Sequence, residues 1–231
     1  MLREAFEAAS TERETRVVIL EAEGAVFCGG ADLDYMRRQA LEGAEENRAD
    51  ALLMAAMFAA VADCPRPVVA AVRGAALGGG CGLVAASDIA LAAPDSVFGF
   101  TEVRLGLIPA VISPFVLRKV RPGDARRYFL TGEKFDAAEA LRIGLVQGVG
   151  ADAVLEREVT GIAEALLAGA PGAQAEIKDL LRALPGRPER ETASLTAEWI
   201  ARVRGGSEGR EGMAAFLERR PPAWTRGLPR G

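Results

Sequence analysis

The sequence predicts an α/β fold, with short buried strands alternating with helices over its first two thirds and helices after that. Three observations carry the prediction. Val68-Val69-Ala70-Ala71-Val72 is an unbroken apolar run between Pro67 and Gly74, which is the pattern of a buried strand. The triplet Gly78-Gly79-Gly80 then opens a short apolar helix reaching Ala86, and Ile89-Ala90-Leu91-Ala92 reads as the next strand. Beyond Asp152 the segments 152–167 and 173–184 read as helices. Pro185-Gly186-Arg187-Pro188 is the clearest linker in the chain. It divides a core, residues 1–184, from a helical region, residues 185–231.

Taken in order, the chain opens with a helix-like segment to about Ala9 and a strand at Val17–Leu20. Gly24–Asp32 is a loop whose glycines leave backbone exposed, and Asp32 is placed to cap a short helix beginning near Leu33. Residues 45–62 carry Leu52, Leu53, Met57, Phe58 and Val61 at helical spacing, so they form a long amphipathic helix, stopped by Pro65-Arg66-Pro67. Residues 111–120 are expected to be helical with Pro114 in the first turn. Residues 123–130 and 136–143 read as helices and Leu145–Val149 as a strand. Two last helices span about 189–204 and 207–219. Trp199, Phe216 and Trp224 are too apolar to stand in water, so this tail is expected to pack on something, a partner subunit being one candidate.

With 231 residues, half of them apolar, the chain can bury a sizeable core as one domain plus an appendage. A net charge of −4 gives no footprint for nucleic acid or an anionic membrane, and the clusters Arg118-Lys119-Arg121 and Arg126-Arg127 read as solvated helix faces. The uncharged runs 74–87 and 105–117 are too short to span a bilayer. The first residues mix charges unlike a signal peptide. Cys28, Cys64 and Cys81 lack C-x-x-C spacing, so neither a disulfide framework nor a zinc site is indicated, and the chain reads as cytoplasmic.

The sequence contains no histidine. That removes Ser-His-Asp and Cys-His catalysis and H-E-x-x-H zinc chemistry together. Gly205-Gly206-Ser207-Glu208-Gly209 matches G-x-S-x-G, but without a histidine Ser207 reads as a helix N-cap. The glycine triplet fits neither the P-loop nor the G-x-G-x-x-G pattern, since Leu83 stands where a glycine is needed. What the triplet does offer is bare N–H groups at a helix N-terminus, with Glu102 nearby among apolar neighbours Phe100, Val103 and Leu105. An N–H donor for an oxyanion and a carboxylate to move protons suit chemistry at a carbonyl. The plain alternatives are a tight turn for each glycine loop, and for Glu102 a surface carboxylate paired with Arg104.

Phe27-Cys28-Gly29-Gly30-Ala31-Asp32-Leu33, Ala75–Cys81, Ser87-Asp88-Ile89 and Thr101–Pro109 together resemble the enoyl-CoA hydratase/isomerase (crotonase) family. So do Leu130–Glu133, Ala137–Ala140, Gly144-Leu145-Val146 and Phe216–Arg220, in the right order over nearly the whole chain. The resemblance implies a spiral of repeated ββα units, a C-terminal helical region that makes homotrimers or hexamers, and acyl-CoA thioesters as ligands. Coenzyme A is then part of the substrate, with no further cofactor and no metal. Residues 101–114 look closest to bacterial methylglutaconyl-CoA hydratases. By the same resemblance Ala31 and Gly79 supply the N–H groups of an oxyanion hole and Glu102 is the acid–base. Ala31, Asp32, Leu33, Gly78 and Gly79 line the thioester site, while Phe216 and Arg219 line the adenine pocket of a neighbouring subunit.

Two departures stand out. The family's first hydratase glutamate is replaced by Gly82, which leaves Glu102 to handle both protons or to act as an isomerase base. Two strands that usually precede the first helix have no counterpart before Met1, which is expected to expose a sheet edge and weaken CoA binding. Three readings follow: first an acyl-CoA hydratase, second a double-bond isomerase, and third a non-catalytic protein that keeps the fold.

Overall fold

The structure, a computed structural model, describes residues 1–39 and 41–225, with Leu33 described by its backbone alone. Helix α1 (Leu2–Thr11) leads to strand β1 (Val18–Leu20), and α2 (Leu33–Gln39) and α3 (Ala44–Ala62) follow. Strands β2 (Val68–Val72) and β3 (Ala75–Leu77) precede α4 (Gly79–Ala86), β4 (Ile89–Ala92) and β5 (Val97–Gly99). Next come a 3₁₀ turn (Glu102–Leu105), α5 (Ser113–Lys119), α6 (Pro122–Thr131), β6 (Lys134–Asp136), α7 (Ala137–Ile143) and β7 (Gly148–Val149). Four α-helices follow, α8 (Asp152–Ala168), α9 (Pro171–Ala183), α10 (Glu189–Gly205) and α11 (Ser207–Leu217), and a 3₁₀ turn (Ala223–Thr225) ends the described residues.

The strands form two sheets. One is wholly parallel, in the order β1-β2-β4-β7; the other runs β3-β5-β6, parallel then antiparallel. Strands β2 and β3 are neighbours in sequence yet lie in different sheets, as do β4 and β5. Each turn of the chain thus gives a strand to each sheet, and the repeated step makes the spiral. Strand β1 is the outer member of its sheet. Every residue of β2 is buried, because a parallel strand covered on both faces needs apolar side chains on both. Helix α4 is buried from Gly80 to Ala86. Phe98, Phe100, Tyr128, Phe129 and Phe135 pack the second sheet against α6, with ring centroids 4.4–5.9 Å apart.

Several expectations need correction. The three-residue strands β3 and β5 were not apparent in the sequence, since neither shows a long apolar run. Only Gly148–Val149 of the stretch 145–149 is a strand. Gly144, at φ +87°, ends α7, and the Leu145 and Val146 N–H groups return to the Ala140 carbonyl. Leu52 and Leu53 of α3 are mostly exposed, at 58% and 62%, while Phe58 and Val61 are buried. Ser207 is the first residue of α11, whose N-cap is Gly206. Lys119 does not belong to a solvated face: its ammonium turns inward and donates to the Val84 carbonyl at 3.1 Å, at the C-terminal end of α4.

The tail packs largely on its own chain. The Glu208 carboxylate accepts from the Gly172 and Ala173 N–H groups, both at 3.0 Å, and so caps α9 from α11. Trp199 Nε1 donates to Glu176 and Trp224 Nε1 to the Ala168 carbonyl. Arg16, just before β1, donates to the carbonyls of Leu167, Gly169 and Trp224. Lys178 of α9 donates to Asp88 Oδ2 at 2.5 Å, and the same oxygen accepts from the Val68 N–H.

Candidate active site

The glycine triplet forms the floor of the site. Gly78 is the N-cap of α4 with φ +51° and ψ −113°, a conformation that L side chains rarely adopt. Its own N–H is spent on the Gly99 carbonyl at 2.8 Å. Gly79 is the first helical residue, so its N–H has no carbonyl to reach within α4. Gly78 and Gly80 are buried, whereas Gly79 is partly open.

The second loop lies across this turn. Cys28 N–H donates to the Ala75 carbonyl and the Cys28 carbonyl accepts from Leu77 N–H, both at 2.9 Å, so the loop is pinned to β3. A side chain at Gly80 would run into the Cys28 carbonyl. Three residues further on, Ala31 and Asp32 are exposed. Asp32 is the cap expected of it: its Oδ1 accepts from the N–H groups of Asp34 and Tyr35, both at 3.0 Å.

Glu102 opens the 3₁₀ turn and reaches over Gly78, its Oε1 lying 3.3 Å from where a Gly78 Cβ would sit. Its Oε2 is buried and has no hydrogen-bond partner. Burial pushes its pKa above the ordinary glutamate value, against a smaller opposing effect of a backbone hydrogen bond. The neighbours responsible differ from those expected: Phe100 is buried, but Val103 and Leu105 turn outward. Arg104 is not its partner; that side chain packs beside Gly132.

Gly82 explains itself in three dimensions. A side chain there would collide with Ile112 Cγ2 and approach Phe58 Cε1 to 2.7 Å. The space next to the glycine turn is therefore filled by two apolar side chains, with Phe115 6.0 Å from Phe58. Sequence reading missed this wall because its members come from α3, α5 and the residues just before α5. Phe216 and Arg219 both stand in solvent at the end of α11, Phe216 at 83% exposure. No group of three or more Cys, Asp or Glu is placed to hold a metal among the described residues, and no helix there is long and apolar enough to cross a membrane.

Two sheets joined by a stepping chain, with a glycine turn and a half-buried carboxylate at one end, define a protein of the crotonase fold. Residues 1–227 match the family model described as "Enoyl-CoA hydratase/isomerase", and the chain belongs to that family. It is similar to the crystal structure of an enoyl-CoA hydratase from Shewanella pealeana, with a TM-score of 0.94 and 40% identity over 96% of this chain and 84% of that one. Pseudomonas aeruginosa AtuE superposes with a TM-score of 0.91 at 38% identity, over 97% and 88% of the two chains. A Thermus thermophilus relative named for enoyl-CoA hydratase is 35% identical over 221 residues, 96% of this chain and 87% of the relative.

Proposed function

We propose that the protein hydrates the 2,3 double bond of an acyl-CoA thioester. The observation that carries this reading is the buried, unpartnered Oε2 of Glu102 beside the Gly78–Gly79 turn. The N–H groups of Ala31 and Gly79 receive the thioester oxygen, and negative charge gathers there as water attacks Cβ. Ionised Glu102 takes the water proton as the C–O bond forms, and the electron pair of the double bond moves toward the thioester oxygen. Protonated Glu102 then returns that proton to Cα as the carbonyl reforms. The hydratase names of the relatives support this reading.

The filled space at Gly82 favours a second reading, a double-bond isomerase. There Glu102 removes a proton from Cα of a 3-enoyl thioester and returns it to Cγ, and no water is needed. The experiment is to add 2-enoyl-CoA and 3-enoyl-CoA separately and follow the absorbance of the conjugated thioester. A hydratase consumes the absorbance of the first; an isomerase creates it from the second. No change with either refutes both readings and leaves a non-catalytic family member. The likeness of residues 101–114 puts methylglutaconyl-CoA on the substrate panel, as a step in branched-chain amino acid degradation.

The same reading extends to assembly. The exposed apolar run Leu105, Leu107 and Ile108, the last at 75%, and the exposed Phe216 and Leu217 suit burial in a cytoplasmic homotrimer or a hexamer built from two trimers. Phe216 and Arg219 would then close the adenine pocket of a neighbour, while Asp32, Leu33 and Gly78 line the thioester site.

A further inference from the structure

We infer that Tyr35 is a positioning residue: through Asp50 it holds the Ala31 N–H in register with that of Gly79, using α3 as a common strut. The inference rests on the oxyanion-hole reading above. Ala31 directly precedes Asp32, whose side chain caps α2 and whose carbonyl accepts from Met36 N–H at 2.9 Å. The peptide that bears the first donor therefore moves with α2. That helix has seven residues, too few to be stable without tertiary support.

Tyr35 supplies such support. Its hydroxyl donates to Asp50 Oδ2 on α3 and lies 3.8 Å from Met54 Sδ. A hydroxyl donating to a carboxylate is among the stronger hydrogen bonds available to side chains. Burial, and secondly the Asp50 carboxylate, push the phenol up to about 12, so it stays a donor across the working pH range.

The second donor refers to the same helix. Asp50, Met54 and Phe58 follow each other at intervals of four and share one face of α3. The Phe58 ring lies 3.7 Å from where a Gly79 Cβ would be, and it also fills the space at Gly82. Eight residues of helix, about 12 Å, thus separate the anchor of one donor loop from the anchor of the other. Loosening the Tyr35 end changes the spacing of the two N–H groups without touching either.

The test uses Tyr35→Phe, Asp50→Ala and Asp50→Asn in the full chain. Turnover is followed with crotonyl-CoA or 3-enoyl-CoA, whichever the wild type accepts. The thioester carbonyl stretch of bound butyryl-CoA, which cannot be hydrated, reports polarisation by the two donors. Tyr35→Phe and Asp50→Ala are expected to lower kcat about ten- to a hundredfold with KM little changed, as small misplacements of reacting groups do. Their bound carbonyl stretch is expected to move back toward that of the free thioester. Asp50→Asn keeps an acceptor oxygen and is expected to recover most of both, and the double variant to be no worse than the worse single one. A folded Tyr35→Phe with wild-type kcat and carbonyl frequency overturns the inference, as does a change in KM alone. If both Tyr35→Phe and Asp50→Ala fail to fold, the clasp is structural and the inference is again overturned. A wild-type complex with no carbonyl shift removes the oxyanion hole itself, and the clasp with it.

Discussion

As the proposed acid–base, Glu102 sets activity against stability. Its folded-state pKa lies above the unfolded value, so the native state binds more protons than the unfolded one between the ordinary 4.5 and that raised value. Stability present below 4.5 is therefore lost as pH rises through the folded pKa. Glu102→Gln is expected to raise the melting temperature at pH 7 and to lose that advantage below the ordinary glutamate range, as read by thermal unfolding at both pH values. The same variant is expected to lose about a hundredfold or more in turnover, the usual contribution of a general acid–base. In the wild type, kcat/KM is expected to fall on the acid side through a pKa above 4.5, because the ionised form is the proposed base. Gly79→Pro tests the other half of the site. Gly79 has no positive φ and begins α4, so proline is tolerated there while the donor is deleted. A drop in turnover of about a hundred- to a thousandfold in a folded variant is expected, with Cys81→Ala as a near-silent control. Gly82→Ala, by contrast, is expected to cost about 1–3 kcal/mol in denaturant unfolding by overpacking against Ile112 and Phe58.

At the scale of the element, α4 is governed from both ends: Gly79 begins it at the proposed site and Lys119 closes the opposite end on Val84. Burial lowers the Lys119 pKa from 10.5 to about 8, opposed by Asp88. Between those values the native state binds fewer protons than the unfolded chain, so stability from this group rises with pH over that window. Lys119→Met is expected to remove that rise, measured as the difference between variant and wild-type unfolding curves at pH 8 and pH 10. Nothing in the sequence marked this lysine, because Arg118 and Arg121 beside it are solvated as expected and only the fold turns one of the three inward. The strands β2 and β4 and helix α4 were legible, since a buried parallel strand must be apolar throughout and a glycine triplet can hardly be anything but a turn. Strands β3 and β5 were not, since three residues paired across sheets leave no periodic trace. Of the proposed site, Glu102 and both glycine loops stood out as motifs in the sequence. The Phe58–Ile112 wall and the Tyr35–Asp50 clasp were not, because each joins residues from separate elements.

For the whole molecule, the helical tail has two faces. One is spent on its own chain, through Glu208 on α9, Trp199 and Arg202 on Glu176, and Trp224 on Ala168. The other, with Phe216 and Leu217, is open. Cutting the chain after Leu184 is expected to strip the cap from α9, lower the melting temperature and leave a monomer or an aggregate, whereas the full chain is expected to sediment as a trimer or hexamer. A well-folded trimer of the fragment in sedimentation would count against this division of labour. The Arg16 clasp also imposes an order in time. One of its three acceptors, the Trp224 carbonyl, lies 208 residues further along the chain. At about 5–20 residues per second, synthesis leaves Arg16 without that acceptor for roughly 10–40 seconds after it leaves the ribosomal tunnel. The contact just ahead of β1 is thus completed only once Trp224 has been made, although β1 finds its partner β2 much earlier. Until then Arg16 has at most the Leu167 and Gly169 carbonyls to hold it, so the corner where β1 meets the helical region is at its weakest while the chain is still on the ribosome.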